Sequence, residues 1–569
     1  MQGSPSHLAH GLTPLASTLR LDARPVDYAL VAVYFVLVLG IGLLARRQVS
    51  SSLDFLLSGR SLPAWITGLA FMSANLGATE LLGQSANGAQ YGTQAFHYYW
   101  IGAIPAMVFL GLFMMPFYYG SKVRSVPEFL RRRFNPTTQR IQAILFSVAN
   151  VLIAGVNLFA MALVVNTLLG WPLWAAIVGA GVVVLAYTLL GGLSAAIYNE
   201  VLQFFVIVAA MVPLTIVGLH RVGGWHGLTT KVAQLPQGHS TLHPFPGSEL
   251  TGITNSSVSL IGVVLGLGFL TSFGYWTTNF AEVQRAFSAS SPSAAARTPL
   301  IAAIPKALIA LVIIIPGMIA TVLVPEIAKL RSGANVSGVS YNDVVPLMLR
   351  DLLPNGFLGV ALAGLLASFM AGVAANISSF NTVVSYDLME GWIKPGKDDK
   401  YYLRAGRWAT VIATLIAIGS AFLASGFSNL MDYIQTLFSF FNVPLFAIFM
   451  MGLLWKRMTG TAGWVSLITG TAGAVGVFIL NQTGVTHFSG QGSSFVGGGV
   501  ATVLALIVGI AVSYASKPKE ERELVGLVRS LTPKAQREIP REPGWYRSPV
   551  LLSVVALVLC VAGYVVFQV

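Results

Sequence analysis

The feature that most constrains this fold is a series of long apolar segments. About fourteen stretches of roughly 20 or more mostly apolar residues recur along the chain, and about 20 helical residues cross the hydrocarbon core of a bilayer. They lie near residues 26–46, 64–90, 96–119, 138–168, 172–193, 196–220, 258–284, 298–324, 356–388, 402–425, 428–455, 460–481, 493–516 and 548–568. The sequence therefore predicts an all-α integral membrane protein with about 14 transmembrane helices.

The scarcity of charge excludes several classes of protein. Charged residues make up 10% of the 569 residues, whereas soluble domains contain about 25%. We therefore exclude a soluble enzyme, a nucleic-acid-binding protein and a disordered scaffold. The single cysteine, Cys560, rules out a disulfide framework and a thiolate metal site. We find no G-x-S-x-G, H-E-x-x-H or Walker A motif and propose no catalytic residue, so the sequence predicts a protein that is not an enzyme.

The distribution of basic residues predicts the orientation. With the N-terminus outside, 26 of the 34 Lys and Arg residues fall in cytoplasmic loops. We therefore expect a multi-pass protein of the plasma membrane with both termini outside. The predicted parts are a flexible tail (1–25), a membrane core of about 13 transmembrane helices (26–516), a basic cytoplasmic segment expected to form a surface helix (517–547) and a last transmembrane helix (548–569).

Two charged residues lie at membrane depth. Glu80 lies in a span interrupted by glycines and polar residues, which predicts a helix broken at the membrane midplane. Lys306 lies nine residues after Arg297, inside another span. Because a buried ammonium group needs a partner, we expect Lys306 to pair with Glu80. The alternatives are a helix of small residues that pack closely, and a lysine that reaches the membrane surface.

Aromatic and amide side chains add to this picture. Tyr275 and Trp276 lie well inside their span and precede two threonines, a combination that suits the faces and hydroxyl groups of a sugar. The alternative is an aromatic belt at the membrane surface. Glu282 and Arg285, three residues apart on one helical face, can pair.

Ordered motifs then identify a family. The segments "DFLLSGRSLPAW", "SANLGATELLGQSANGAQYG", "SVPEFLRRRFN", "GGLSAAIYNEVLQ", "YWTTNFAEVQR" and "PKALIALVIIIPG", followed by "YIQ" and "FMMGLLWKR", occur in family order between residues 54 and 457. The chain resembles the sodium:solute symporter family, in particular its sodium/glucose and sodium/galactose cotransporter branch. The resemblance implies a LeuT-like fold of two inverted five-helix repeats with flanking helices.

The resemblance also implies site residues. At the positions that line the solute site of the sugar-transporting branch, the chain has Glu80, Tyr275, Trp276, Lys306 and Gln435. The outer gate position corresponds to Tyr98. Three other sugar-binding positions depart from the pattern, since they hold Tyr99, Gly102 and Ser272.

The implied sodium site departs further. Family positions that bind sodium through backbone carbonyls match Ser73, Leu76 and Ser368, but the two hydroxyl ligands fall at Ala371 and Gly372. We therefore expect solute uptake to need more sodium for half-saturation than is usual for the family. Serine at both positions, Ala371→Ser with Gly372→Ser, should lower that sodium requirement. Alternatively, Ser368 or Asn376 could supply the missing oxygen ligands. Otherwise the coupling ion is a proton, carried by Glu80, or there is none. Glu200 matches an acidic residue on the cytoplasmic ion path.

These inferences predict a function. We expect a cation-coupled symporter that imports a small organic solute, a sugar or a related polar metabolite, by alternating access. The alternatives are a proton-coupled or uncoupled carrier and a solute sensor on the same scaffold. The expected partners are the solute, sodium or protons, and the lipid bilayer, with no nucleic acid. No cofactor is expected beyond sodium as the coupling ion.

Overall fold

The computed structural model describes residues 23–568 except 48, 237, 245–261, 335, 337, 425–429 and 489. The described residues form helices and connecting loops, with no strand among them. The main helices are α1 Pro25–Arg46, α2 Ala64–Asn75, α3 Gln84–Tyr91, α4 Pro136–Leu169, α5 Leu173–Val222, α6 Ser272–Thr278, α7 Phe280–Phe287, α8 Pro292–Leu323, α9 Phe357–Thr382, α10 Asp399–Ala424, α11 Leu430–Leu454, α12 Gly460–Gln482, α13 Gly490–Ala515 and α14 Pro549–Gln568.

Shorter helical pieces connect these elements. The α-helical pieces are Ser52–Leu57, His97–Trp100, Ile104–Phe109, Met115–Gly120, Val126–Arg133, Gly224–Ala233, Gly238–Thr241, Pro325–Arg331, Val344–Leu352 and Lys534–Arg537. The π-helical pieces are Thr79–Gly83, Leu110–Met114, Gly262–Thr271 and Val383–Ile393. The 3₁₀ pieces are Ser58–Arg60, Gly92–Phe96, Tyr341–Asp343, Glu521–Leu524 and Trp545–Arg547.

The predicted all-α membrane architecture is confirmed. Within the described residues, 11 helical stretches are long and apolar enough to cross a membrane. The count of fourteen is not confirmed, because α5 runs through two predicted spans and the predicted spans 64–90 and 258–284 consist of shorter pieces. Residues 258–261, and residues 1–22 of the predicted tail, lie outside the described residues.

The bend in α5 has a steric cause. Gly192 has φ 57° and ψ −144°, a conformation that favours glycine. A Cβ atom at this position would lie 2.4 Å from the carbonyl oxygen of Phe55. The chain therefore turns between two helical halves at Gly192 and packs closely against the segment that follows α1.

The helix predicted to break near Glu80 does break. Helix α2 ends at Asn75, Leu76 has ψ 48°, and helical structure resumes at Ala78. Helix α8 packs against α2 and α3, while α9 packs against α4 and α5 and α6 packs against α11. The break therefore lies among buried helices and not against lipid.

The expected surface helix over residues 517–547 is wrong. Helical pieces of this segment are at most four residues long: Glu521–Leu524, Lys534–Arg537 and Trp545–Arg547. The cause is the repeated presence of residues that end helices: Pro518, Gly526, Pro533, Pro540, Pro543 and Gly544. The segment is held in place by a hydrogen bond from the Arg529 amide to the Leu453 carbonyl (2.8 Å) and by an ion pair between Arg297 and Glu542 (2.5 Å).

Candidate functional site

A cavity lies beside the break between α2 and α3. Its volume is about 60 Å³, and its walls also include residues of α6 and α11. The lining residues are Asn75, Thr79, Glu80, Gln84, Tyr98, Gly102, Leu267, Thr271, Ser272, Tyr275, Trp276, Met431, Ile434, Gln435 and Phe438. Pockets that enclose small organic ligands typically have about 300–1,000 Å³, so a solute requires the lining helices to move apart.

This central cavity contains most of the predicted solute-site residues. Glu80, Tyr275, Trp276 and Gln435 line it, as does the predicted gate residue Tyr98. The positions that depart from the sugar-binding pattern include two further lining residues, Gly102 and Ser272. The structure therefore brings together residues that lie more than 350 positions apart in the sequence.

Lys306 binds two residues that line this cavity, Glu80 and Asn75. Its Nζ lies 2.8 Å from Oε1 of Glu80 and also donates a hydrogen bond to Oδ1 of Asn75. The predicted Lys306–Glu80 pair is confirmed. Nζ also lies 4.7 Å from the ring centroid of Tyr99 and 5.4 Å from that of Trp276. The carboxylate, the amide and two aromatic faces together stabilise the buried ammonium group.

Tyr275 separates two cavities. Its hydroxyl accepts a hydrogen bond from Nδ2 of Asn75 (2.9 Å) and donates one to Oε1 of Glu282 (2.6 Å). Its ring packs on Phe438, with 4.4 Å between centroids. Besides the central cavity, Tyr275 lines a second cavity of about 30 Å³ that includes Asn279 and Glu282. Tyr275 is therefore one of the residues that lie between the two cavities.

Gln435, which lines the central cavity, has an unused hydrogen-bond acceptor among the described residues. The residue is 3% exposed, and its Oε1 has no hydrogen-bond partner within the described part of the chain. Leaving a buried amide oxygen without a partner costs free energy. A solute hydroxyl group that enters the cavity and donates to this oxygen would recover that free energy.

The predicted sodium-site residues meet at the same break. The Ser368 hydroxyl donates to the Leu76 carbonyl, and the Leu76 amide donates to the Ser73 carbonyl at 3.0 Å. The Ser73 hydroxyl is buried and has no hydrogen-bond partner among the described residues. Ser368 therefore contributes a hydroxyl group in addition to its expected carbonyl. Asn376, an alternative oxygen source, donates its amide to the Gly372 carbonyl at 2.8 Å.

Asn157, on α4, is a residue that the sequence analysis missed. Its Oδ1 accepts a hydrogen bond from the Ala78 amide at 2.8 Å, at the restart of the broken helix. A Cβ atom on Gly77 would lie 2.5 Å from this oxygen, and one on Gly372 would lie 2.6 Å from it. The available signal was an amide side chain in the middle of a mostly apolar span.

The position of Asn157 corrects one expectation about this site. Because its Oδ1 takes up the space next to Gly372, a serine at position 372 would collide with it and would not simply restore a ligand. The region nevertheless holds a carbonyl (Leu76), two hydroxyl groups (Ser73 and Ser368) and an amide oxygen (Asn157). Neutral and carbonyl oxygens are ligands that hard cations prefer, so this donor chemistry suits sodium.

Glu200 is engaged in a fully buried ion pair. Its Oε2 accepts a hydrogen bond from Nε of Arg285 at 3.1 Å, and both side chains are 0% exposed. The pair that Glu282 and Arg285 could form is not seen, because Arg285 turns to Glu200 while Glu282 accepts from Tyr275. The pair connects α5 to α7.

Comparison with known proteins identifies the family. The sequence profile of the sodium:solute symporter family matches residues 55–470. The chain is 26% identical to a sodium/glucose cotransporter of Vibrio parahaemolyticus over 456 residues, which cover 78% of this chain and 83% of that protein. It is 27% identical to human sodium/myo-inositol cotransporter 2, covering 81% and 70%.

A solved structure supports the fold. A Na⁺-coupled sialic acid symporter in a substrate-bound outward-open state superimposes with a TM-score of 0.72 at 17% identity, covering 87% of this chain and 99% of that one. The family consists of membrane transporters and not enzymes. Since the family profile covers most of the chain and includes the broken helix, Tyr275, Lys306 and Gln435, the chain belongs to the sodium:solute symporter family.

Proposed function

We propose that this symporter imports a neutral polyhydroxylated solute, a sugar or a related polyol, through the central cavity. The observation that carries the proposal is that Gln435 lines the cavity beside Glu80 and Trp276, and that its buried Oε1 has no hydrogen-bond partner among the described residues. An amide, a carboxylate and an aromatic face can together bind hydroxyl groups and a ring face. Cotransporters of glucose and of myo-inositol are among its relatives, and both solutes have this chemistry.

The proposed solute site consists of Glu80, Tyr275, Trp276, Lys306 and Gln435, with Tyr98 as the outer gate. Lys306 acts through Glu80: it fixes the carboxylate at 2.8 Å and neutralises its charge. This arrangement leaves hydrogen-bonding capacity for a neutral solute without leaving a net charge in the membrane. Tyr275 closes the path towards the second cavity by its bonds to Asn75 and Glu282.

We propose sodium as the coupling ion. Its site would use the carbonyls of Ser73, Leu76 and Ser368, the hydroxyls of Ser73 and Ser368, and Oδ1 of Asn157 in place of the ligands absent at Ala371 and Gly372. Sodium bound between the break and α9 would favour one arrangement of these elements and so couple to solute binding. Glu200 would serve the cytoplasmic ion path through its pair with Arg285.

The membrane arrangement belongs to the same proposal. Fourteen crossings would follow if α5 crosses twice through its bend at Gly192 and if the broken segments 64–91 and 262–287 each cross once. The basic loops favour a plasma-membrane protein with both termini outside. The core would then span 26–516, the cytoplasmic segment 517–547 and the last helix 548–569.

One alternative rests on a specific observation. Ala371 and Gly372 lack side-chain oxygens, and Glu80 is a carboxyl group inside the membrane, so a proton-coupled carrier is the second candidate. A sensor that binds solute without moving it is the third candidate.

Uptake into proteoliposomes separates these functions. Radiolabelled glucose, galactose and myo-inositol, with proline as a solute of different chemistry, would be tested with a sodium gradient, a proton gradient or neither. We expect accumulation of a polyhydroxylated solute with sodium, and a strong loss in Gln435→Ala but not in Gln482→Ala at the exposed end of α12. Binding without accumulation would indicate a sensor, and preference for proline would contradict the proposed solute class.

A further inference from the structure

A groove that shares no lining residue with the solute cavity combines three arginines with an apolar floor. It has a volume of about 420 Å³ and is lined by Arg46, Arg404, Arg407 and Trp408, together with apolar side chains of α5 and α10. Arg46 is the last residue of α1, and the other two arginines lie in the first turns of α10. Helices α1 and α10 thus place guanidinium groups, and α5 and α10 place apolar side chains, around one opening.

The arginines of this groove have no acidic partner. In the described ranges of the chain, none of the three forms an ion pair with a carboxylate. The nearby carboxylate of Asp399 already accepts from Ser52. Nε of Arg407 is buried and lacks a hydrogen-bond partner in the same ranges. The groove therefore offers several unused donors and an uncompensated positive charge to an anion.

The surroundings of the groove are those of a membrane surface. Leu44, Trp408 and Leu415 on the flanking helices are exposed, and Trp408 has 67% of its surface accessible. An exposed tryptophan between apolar side chains and arginines is typical of the interface between acyl chains and head groups. The excess of basic residues places this end of α1 and α10 in the cytoplasmic leaflet.

We propose that this groove binds the head group of an anionic phospholipid of the cytoplasmic leaflet. The guanidinium groups would bind the phosphate oxygens in bidentate fashion, and the acyl chains would lie on the leucines and the valine of the floor. A free phosphate ion would use the arginines but not the apolar half. Residues of α1, α5 and α10 line the groove, so a bound lipid would hold these three helices together. Helix α1 precedes the broken helix in the chain.

Quenching of tryptophan fluorescence by brominated lipids tests this proposal directly. The full-length protein would be reconstituted into phosphatidylcholine vesicles containing either brominated phosphatidylcholine or brominated phosphatidylglycerol. Because the chain has 11 tryptophans, the signal from Trp408 is the difference between the parent and Trp408→Phe. Because basic side chains near the surface attract anionic lipids, we expect a preference for phosphatidylglycerol over phosphatidylcholine of about tenfold or more.

Charge-matched variants show whether the groove itself is responsible. Arg46→Gln, Arg404→Gln and Arg407→Gln combined should abolish the preference, and Arg46→Gln alone, at an exposed position, should reduce it. The control combines Lys517→Gln, Arg522→Gln and Arg541→Gln, three exposed basic residues outside the groove, and should keep it. Equal quenching by both lipids, or an equal loss in the control, would overturn the proposal. Full displacement by millimolar inorganic phosphate would assign the groove to a soluble anion instead.

Discussion

Nζ of Lys306 lies 2.8 Å from Oε1 of Glu80, although 226 positions separate the two residues in the sequence. Lys306 is 1% exposed at its side chain and Glu80 14%, so neither charge can rely on water alone. Each residue therefore depends on the other, and their pair holds the restart of the broken helix against α8. This dependence gives the first prediction.

Lys306→Ala should abolish or strongly reduce solute uptake and lower stability. Removing one partner of a buried ion pair costs about 3–5 kcal/mol, whereas the double variant Lys306→Met with Glu80→Gln leaves no uncompensated charge and should recover much of that stability. Uptake should stay low in both, because the Glu80 carboxylate is no longer held in place in the single variant and is absent from the double variant. Thermal unfolding and uptake of each variant check this, and normal uptake by the double variant would show that the pair is only structural.

The contact between Asn157 and Gly372 gives a second prediction. Gly372→Ser should lower stability by about 1–3 kcal/mol, because the new side chain overlaps with Oδ1 of Asn157. Gly476→Ser, in α12, is the matched control, since nothing lies within 4 Å of a Cβ atom there. In an Asn157→Ala background the clash disappears and the serine supplies a hydroxyl group.

The readout for the ion is the sodium concentration that gives half-maximal uptake. This sodium concentration should be lower in the double variant Asn157→Ala with Gly372→Ser than in Asn157→Ala alone. The expected difference is roughly tenfold, because one added ligand contributes about 1.4 kcal/mol to sodium binding. A half-saturation that is the same in the parent and Asn157→Ala would remove Asn157 from the proposed ion site.

The hydroxyl of Tyr275 gives a third prediction. Tyr275→Phe keeps the ring contact with Phe438 but loses the hydrogen bonds to Asn75 and Glu282. We expect the path to the second cavity to open more often. In a Cys560→Ala background, a cysteine introduced at Asn279 should react faster with a water-soluble thiol reagent, while Tyr514→Phe at an exposed position should leave that rate unchanged.

A fourth prediction concerns the buried pair of Glu200 and Arg285. Glu200→Gln removes the carboxylate that pairs with the buried guanidinium group of Arg285, at a cost of about 3–5 kcal/mol. The exposed pair of Lys456 and Glu521 is the comparison, where Lys456→Gln should cost less than about 1 kcal/mol. Unfolding measurements that give equal effects for the two variants would contradict the buried pair.

The sequence predicts those parts of the site that depend on local chemistry. A carboxylate and an ammonium group at membrane depth must find partners, and glycines beside polar residues must interrupt a helix, so the pair of Glu80 with Lys306 and the break at Leu76 follow from the residues. The solute-site positions follow from ordered motifs. Their roles in binding remain predictions.

What could not be predicted depends on distant packing. Asn157 occupies the space beside Gly77 and Gly372 because α4 and α9 pack together at the broken helix. The spacing of residues in the sequence does not reveal this packing. Arg285 pairs with Glu200 and not with the neighbouring Glu282 for the same reason, because α5 and α7 are brought together by packing between distant parts of the chain. The surface helix predicted for residues 517–547 is absent for a local reason, because prolines repeatedly interrupt this basic segment.

The most direct test of the central claim is accumulation driven by sodium alone. Proteoliposomes would take up radiolabelled glucose or myo-inositol with an inward sodium gradient, and with equal sodium on both sides, at the same pH inside and outside. If the chain is a sodium-coupled symporter, the internal solute should rise above the external concentration only with the gradient and then fall as the gradient dissipates. Equal uptake under both conditions, or accumulation that follows a proton gradient without sodium, would contradict the account.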